Sequence, residues 1–274
     1  MKKADLTLVV AFLGVFLLAG SAMTAPFSYD VTNDVYSGVV NGIPTANDDN
    51  DNPPTFVPDI NDAINQIQGT SYADNKDVDH LFVEPDYLWL GGGNGTVVLI
   101  GLTAGYSNTL GYYTDPGTGN SKTDIIGPYS GFGFLGDGTL TNPYPAAPIS
   151  VSSGSPFGWY LYADQSTYYY SEPGLNPNGY DHLMTFALPD AVGEKVYVDY
   201  GNGPEEYIFN NPYLLAWEDL PWDSDTLTLG DDDYDDMIYV VDKVAPVPIP
   251  PTILLLGSGL LGFGLLSRRK KVNT

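Results

Sequence analysis

Between residues 26 and 244 the apolar positions come in short runs separated by clusters of Gly, Pro, Asn and Asp. Runs at Leu81–Val83, Tyr87–Leu90, Thr96–Leu102, Ser130–Leu135, Gly158–Ala163, His182–Ala187, Lys195–Tyr200, Tyr213–Glu218 and Met237–Val241 have the length and composition of strands. Phe27 to Val40 alternates weakly and predicts one opening strand. A single segment keeps another period. Ile60, Ala63, Ile64 and Ile67 recur at i, i+3, i+4 and i+7 behind Asp59, predicting one short capped helix. Gly91 to Gly95 reads as a hairpin turn, because no helical pattern follows it as a phosphate loop would require. Residues 117–128 and 141–156 read as long loops. The pattern predicts an all-β body, a β-sandwich or jelly roll with one short helix.

The two ends follow other rules. Lys2 and Lys3, then the apolar Leu6 to Ala19, then the small residues around Ala22 to Ala25 have the form of a signal peptide. At the other end, Ala245 to Pro251 is an extended, helix-blocking stretch. Thr252 to Ser267 follows as a glycine-punctuated apolar segment, then Arg268-Arg269-Lys270-Lys271. As a helix that apolar segment spans about 24 Å, short of the roughly 30 Å hydrocarbon core. The basic cluster stays cytoplasmic, which puts the body on the far side of the membrane. The division expected is therefore 1–25 signal peptide, 26–150 and 151–244 as two parts of one continuous β body, and 245–274 a tail. A signal helix and a C-terminal hydrophobic helix flank the body.

Val247, Pro248, Ile249 and Pro250, the short apolar segment and the basic cluster opened by Arg268 and Arg269 resemble the PEP-CTERM sorting signal of Gram-negative bacteria. Ile249 stands where that family's namesake motif has Glu. The resemblance implies signal peptidase and an exosortase-like membrane protease as partners. It also implies passage through the membrane by the C-terminal helix, and residence in the cell envelope or extracellular matrix near exopolysaccharide and biofilm.

Removing the ends changes the charge. The body keeps four of the ten basic residues, none of them Arg, and 33 of the 34 acids, for a net charge of −29. Such a field repels nucleic acid and anionic headgroups. The chain has no cysteine, which excludes disulfides, thiolate metal sites and cysteine nucleophiles. Two readings fit the excess of acid: a solvated surface that maintains solubility, or bound divalent cations.

The densest acidic stretch is Glu218-Asp219, followed by Asp231, Asp233, Asp235 and Asp236 just before an apolar strand. Carboxylates crowded at the start of a buried strand raise one another's pKa or recruit a cation, and calcium, a hard ion taking six to eight oxygens, suits them. In an extended segment Asp231, Asp233 and Asp235 would share one side. Weaker metal candidates are Asn178, Asp181, Asp48 and Asp51. The stretch around Asp48 and Asp51 fails the EF-hand pattern, with Pro53 where Gly is required. Asp74, Asp77, Asp79, Glu84 and Asp86 form a looser group. His80 and His182 read as hydrogen-bonded strand-edge residues, without the spacing of a two-histidine zinc site.

Phe157-Gly158-Trp159-Tyr160, Asn176 to His182, Trp217-Glu218-Asp219-Leu220 and Gly230 to Asp236 resemble, in order, an uncharacterised domain of exported bacterial proteins over residues 155–243. In that family the motifs run FGFY, N-x-DG-x-DH, FEDL and GD-x-DFND, so Asn178 replaces an Asp and Asp235 an Asn. No GxSxG motif or catalytic triad order is visible. The function expected is that of a non-enzymatic, calcium-stabilised structural or interaction protein of the cell surface. The alternatives are a carbohydrate-binding module, for which Trp159 to Tyr162 and Tyr168 to Tyr170 supply aromatic rings, and a polysaccharide hydrolase.

Overall fold

The computed structural model describes residues 28–30, 35–37, 60–72, 75–83, 85–223, 228–229 and 234–247. The signal segment, Asp48, Asp51, Asp231, Asp233 and the tail from Pro248 onward lie outside these residues, as does the side chain of Asn178. Among the described residues no helix is long and apolar enough to cross a membrane.

The described residues are mostly β, with two main sheets and one α-helix. The expected opening strand is instead a pair: β1 (Ser28–Asp30) doubles back antiparallel onto β2 (Val35–Ser37). Helix α1 (Ile60–Gln68) buries all four residues of its predicted stripe, Ile60, Ala63, Ile64 and Ile67. The predicted strand at Leu81–Val83 is reduced to a single bridge, Phe82 to Phe186: Leu81 ends a 3-10 turn, Asn75–Leu81, and the Val83 amide donates to the Thr185 carbonyl (2.9 Å).

One sheet holds β3 (Trp89–Leu90), β5 (Asn108–Asp115), β6 (Asn120–Tyr129), β9 (Pro156–Ala163), β10 (Thr167–Tyr170) and β18 (Ala245–Pro246). Its order is β18-β3-β9-β5-β6, with β10 also on β9. The other holds β4 (Gly95–Leu102), β7 (Gly133–Phe134), β8 (Tyr144–Ile149), β11 (Leu183–Ala187), β12 (Lys195–Asp199), β13 (Pro204–Ile208), β14 (Tyr213–Trp217) and β17 (Met237–Asp242). Its order is β11-β14-β17-β4-β8-β12-β13, with β7 on β4 and only the β8–β12 pair parallel. A small separate pair joins β15 (Trp222–Asp223) to β16 (Thr228–Leu229).

Residues of β4 show how the layers stack. Val97, Leu99 and Leu102 point into an apolar layer shared with Trp89, Leu110, Phe157, Trp159 and Leu161 of the first sheet. Val98 and Ile100 point the other way, into a second layer under α1 and the 3-10 turn. The central strands of the second sheet are thus buried on both faces, which is why β4 and β17 read as unbroken apolar runs. Three tryptophans, Trp89, Trp159 and Trp217, are fully buried in the layer between the sheets. Truncating any one of them to Ala would cost about 3–5 kcal/mol.

Two predicted loops are strands. Residues 117–128 contain β6, an edge strand exposed on most positions, so no apolar alternation betrays it. Residues 141–156 contain β8, whose Pro145 and Pro148 disguise it. Gly91 to Gly95 is not a hairpin turn, since it carries the chain from β3 in one sheet to β4 in the other. The crossing runs so close to the backbone that a Cβ on Gly92 would fall 1.6 Å from the Lys243 carbonyl oxygen.

Candidate metal centre

Register brings the acidic motifs together. In the antiparallel pair β14–β17, Trp217 faces Met237, so the chain leaving β14 at Glu218 lies beside the chain entering β17 at Asp236. In the pair β11–β14, Leu183 faces Trp217, which sets His182 beside Glu218. The Glu218 amide accordingly donates to the His182 carbonyl (3.1 Å). Segments far apart in sequence therefore end at one rim of the sandwich, next to the link from β4 to β5.

At that rim one carboxylate oxygen from each of Glu218, Asp219 and Asp236 falls within 4.8 Å of the others, and all three residues are buried, at 0%, 3% and 6% exposure. Each carboxylate is aimed by an amide donor. The Asp219 amide donates to Asp236 Oδ2 (2.7 Å), the Leu220 amide to Glu218 Oε1 (2.9 Å), and Asn108 Nδ2 to Asp219 Oδ2 (2.5 Å). Asn108 opens β5 in the opposite sheet and is itself fully buried, with Oδ1 lacking any hydrogen-bond partner among the described residues.

The surroundings are not cationic. Burial pushes the His182 imidazole down to about 3, with the hydrogen bond to the Glu218 carbonyl (3.0 Å) opposing it, so the ring is neutral at physiological pH. It stacks on Tyr169, ring centroids 3.8 Å apart at 20°. Burial first, then the charges of Asp219 and Glu218, push the Tyr169 phenol up to about 12. The three lysines with described side chains are engaged elsewhere. Lys122 lies over Tyr168 and Tyr170, Lys195 pairs with Glu206 (3.0 Å), and Lys243 lies over Tyr207. Three convergent carboxylate oxygens are a hard donor set, suited to a divalent cation such as calcium.

Of the six carboxylates expected to act together, Asp231 and Asp233 lie outside the described residues, and three of the other four converge. Asp235 is buried alongside, but its Oδ1 accepts from the Thr103 hydroxyl. Tyr234 adopts a left-handed φ of 56°, and, two residues on, Asp236 Oδ2 accepts from the Asp219 amide. Asp181 is buried but outside the converging set, its Oδ1 accepting from the Leu183 amide (3.2 Å). His80 is exposed, with Nδ1 against the Asp77 carbonyl (2.9 Å) in a turn rather than at a strand edge. Asn108 and Thr103 carry no motif that would have marked them in the sequence.

Alternation also divides the aromatic stretches. Trp159, Leu161 and Tyr169 point into the core, while Tyr160, Tyr162, Tyr168 and Tyr170 share the outer face of the first sheet. Tyr160 lies over Gly111, where a Cβ would come within 2.2 Å of its ring, and its hydroxyl donates to Asp124 Oδ1 (2.5 Å). Tyr162 and Tyr168 stack face to face, centroids 4.3 Å apart at 16°.

No family model matches the chain, and no curated protein does. Among solved structures the chain is similar to the Chromobacterium violaceum lectin CV2L in complex with alpha-methyl-fucoside. The identity is 13%, over 60% of this chain and 98% of that one, with a TM-score of 0.26. A likeness that slight carries no argument about fold or ligand.

Proposed function

We propose that this is an exported, non-enzymatic structural or interaction protein of the cell envelope whose β body is stabilised by calcium. The observation that carries the reading is the buried convergence of Glu218, Asp219 and Asp236 at the meeting of three strand ends. Burial fits an ion that holds chain segments together, because a hydrolase must leave its acids open to a polymer. Export rests on the Lys2-Lys3 and apolar N-terminal segment and on the PEP-CTERM-like tail. That tail supports an exosortase-like protease and signal peptidase as processing partners and a Gram-negative cell surface as the destination. Carbohydrate binding has less behind it: the outward Tyr162 and Tyr168 stack on each other, and Lys122 lies over Tyr168 and Tyr170.

Thermal unfolding of the purified full-length chain, in calcium and in chelator, tests the reading. A ligand bound only by the native state, at a hundred times its Kd, adds about 2.7 kcal/mol, which for a chain this size raises Tm by about 5–10 °C. An unchanged Tm would sink the calcium assignment.

A further inference from the structure

An open sheet ends in strands whose outer amides and carbonyls lack a neighbour, and those edges pair with other chains unless they are blunted. Most edges of this fold are blunted. Phe82 and Val83 lie against β11, through the bridge to Phe186 and the Val83 amide on the Thr185 carbonyl (2.9 Å). On β10 the Asn176 side chain stands in for a neighbouring strand: Oδ1 accepts from the Tyr170 amide (2.6 Å) and Nδ2 donates to the Tyr170 carbonyl (2.8 Å). β13 presents Pro204, Glu205 and Glu206, and β18 is two residues long and includes Pro246. β6 differs. It runs for ten residues, pairs with β5 alone among the described strands, and is exposed at Asn120, Ser121, Thr123 and Asp124.

The backbone of this edge has a definite phase. A Cβ on Gly111 would fall 2.6 Å from the Thr123 carbonyl oxygen, so that carbonyl is turned toward β5. Alternation along the strand then turns the amides and carbonyls of Lys122 and Asp124 to the open side. We propose that a second copy of this chain pairs there, β6 antiparallel to β6 about a two-fold axis at Thr123, forming a symmetric dimer. In that register Lys122 lies opposite the partner's Asp124, twice by symmetry, and each such pair exchanges both backbone hydrogen bonds. Charge selects the register. Sliding by two residues keeps the hydrogen bonds but sets Lys122 opposite the partner's Lys122, or Asp124 opposite the partner's Asp124, and both are repulsive. Lys122 and Asp124 share the tyrosine face, where Lys122 lies over Tyr168 and Tyr170 and Asp124 accepts from Tyr160, so that face continues across the axis. Thr123 meets its own copy on the other face, a β-branched pair suited to a sheet. Pro128, which has no amide to donate, ends the pairing past the bulge. Two acidic bodies repel at a distance, but in about 0.15 M salt that field is screened beyond about 8 Å. At contact the local cation is Lys122, one of the four basic residues of the body.

The contact does not involve the carboxylate cluster, so the test is sedimentation equilibrium of the full-length chain in chelator. Wild type should show a monomer–dimer equilibrium. Lys122→Asp and Asp124→Lys each place like charges opposite one another at both pairs and should weaken the dimer by about 10-fold or more. Mixed in equal amounts, the two variants should recover a dimer, because each then faces the opposite charge on the other. The chain has no cysteine, so single cysteines report the register. Thr123→Cys, opposite its own copy in a non-hydrogen-bonded pair, comes within disulfide range and should cross-link on mild oxidation, whereas Ser121→Cys faces the partner's Ile125 and should not. A wild type that stays monomeric at every concentration overturns the inference. So do charge variants as dimeric as wild type, which is the result that association through the 245–274 tail would give. A mixture of the two variants that stays monomeric, or equal cross-linking at positions 121 and 123, overturns it as well.

Discussion

The two ends of strand β17 bury carboxylates in opposite ways. At its C-terminal end Asp242 is fully buried and surrounded by donors: the Tyr207 hydroxyl (2.7 Å) and the amides of Asn210 (3.1 Å) and Asn211 (2.6 Å). At its N-terminal end Asp236 meets Glu218 and Asp219, and each accepts from an amide: Asp236 from the Asp219 amide, Glu218 from the Leu220 amide and Asp219 from Asn108 Nδ2. The first arrangement satisfies an anion with the protein's own N–H and O–H groups, and a cation there would displace hydrogen bonds already made. The second brings three carboxylates within reach of one another. Burial alone therefore does not distinguish a structural acid from a ligand; the company of other carboxylates is what sets the second end apart.

The largest expected effect falls on the donor-rich end. Asp242→Ala removes a fully buried acceptor from the Tyr207 hydroxyl and the Asn210 and Asn211 amides, and should cost about 4 kcal/mol in urea unfolding, equally in calcium and in chelator. A cost that depends on calcium would mean the two ends had been assigned the wrong way round. Asp236→Asn should behave in the reverse manner. In saturating calcium it should forfeit most of the ion's contribution, about 3 kcal/mol, while in chelator it should be neutral or mildly stabilising because one of three clustered charges is gone. Equal destabilisation in both buffers would reduce the cluster to an ordinary hydrogen-bonded turn.

This contrast was only half legible in the sequence. Glu218, Asp219 and Asp236 stand out because acids crowd against apolar strands, and the apolar runs of β4, β14 and β17 are plain because that sheet is buried on both faces. Asn108 was hidden. It opens a strand that carries Gly111 and a run of tyrosines, and its role depends on a crossing between sheets that no local pattern encodes. Strand β6 escaped for a related reason, since an exposed edge strand has no apolar period to read. Asp242 likewise looks like any strand-end acid until its register with β4 and its neighbours at Asn210 and Asn211 are known.

Asp86 sharpens the comparison by burying a carboxylate in a third way. It is 1% exposed, and neither carboxylate oxygen has a hydrogen-bond partner among the described residues; the nearby Thr185 hydroxyl also lacks one. Burial pushes its pKa up to about 7, with the Thr185 hydroxyl opposing it, so below that pH the fold carries the group with its proton. The sign follows from the unfolded chain, where this acid ionises near 3.8. Between that pH and about 7 the unfolded state gives up a proton that the folded state keeps. Stability therefore falls as pH rises through this window, and the loss is complete above it. Asp86→Asn removes the titration while keeping the shape. It should stabilise the protein by about 2 kcal/mol more at pH 8 than at pH 5, measured by urea midpoints with calcium held constant. Should the gain be the same at both pH values, Asp86 would already be ionised in the fold at pH 5, and a cation or an amide would have to be sought beside it as at the two ends of β17.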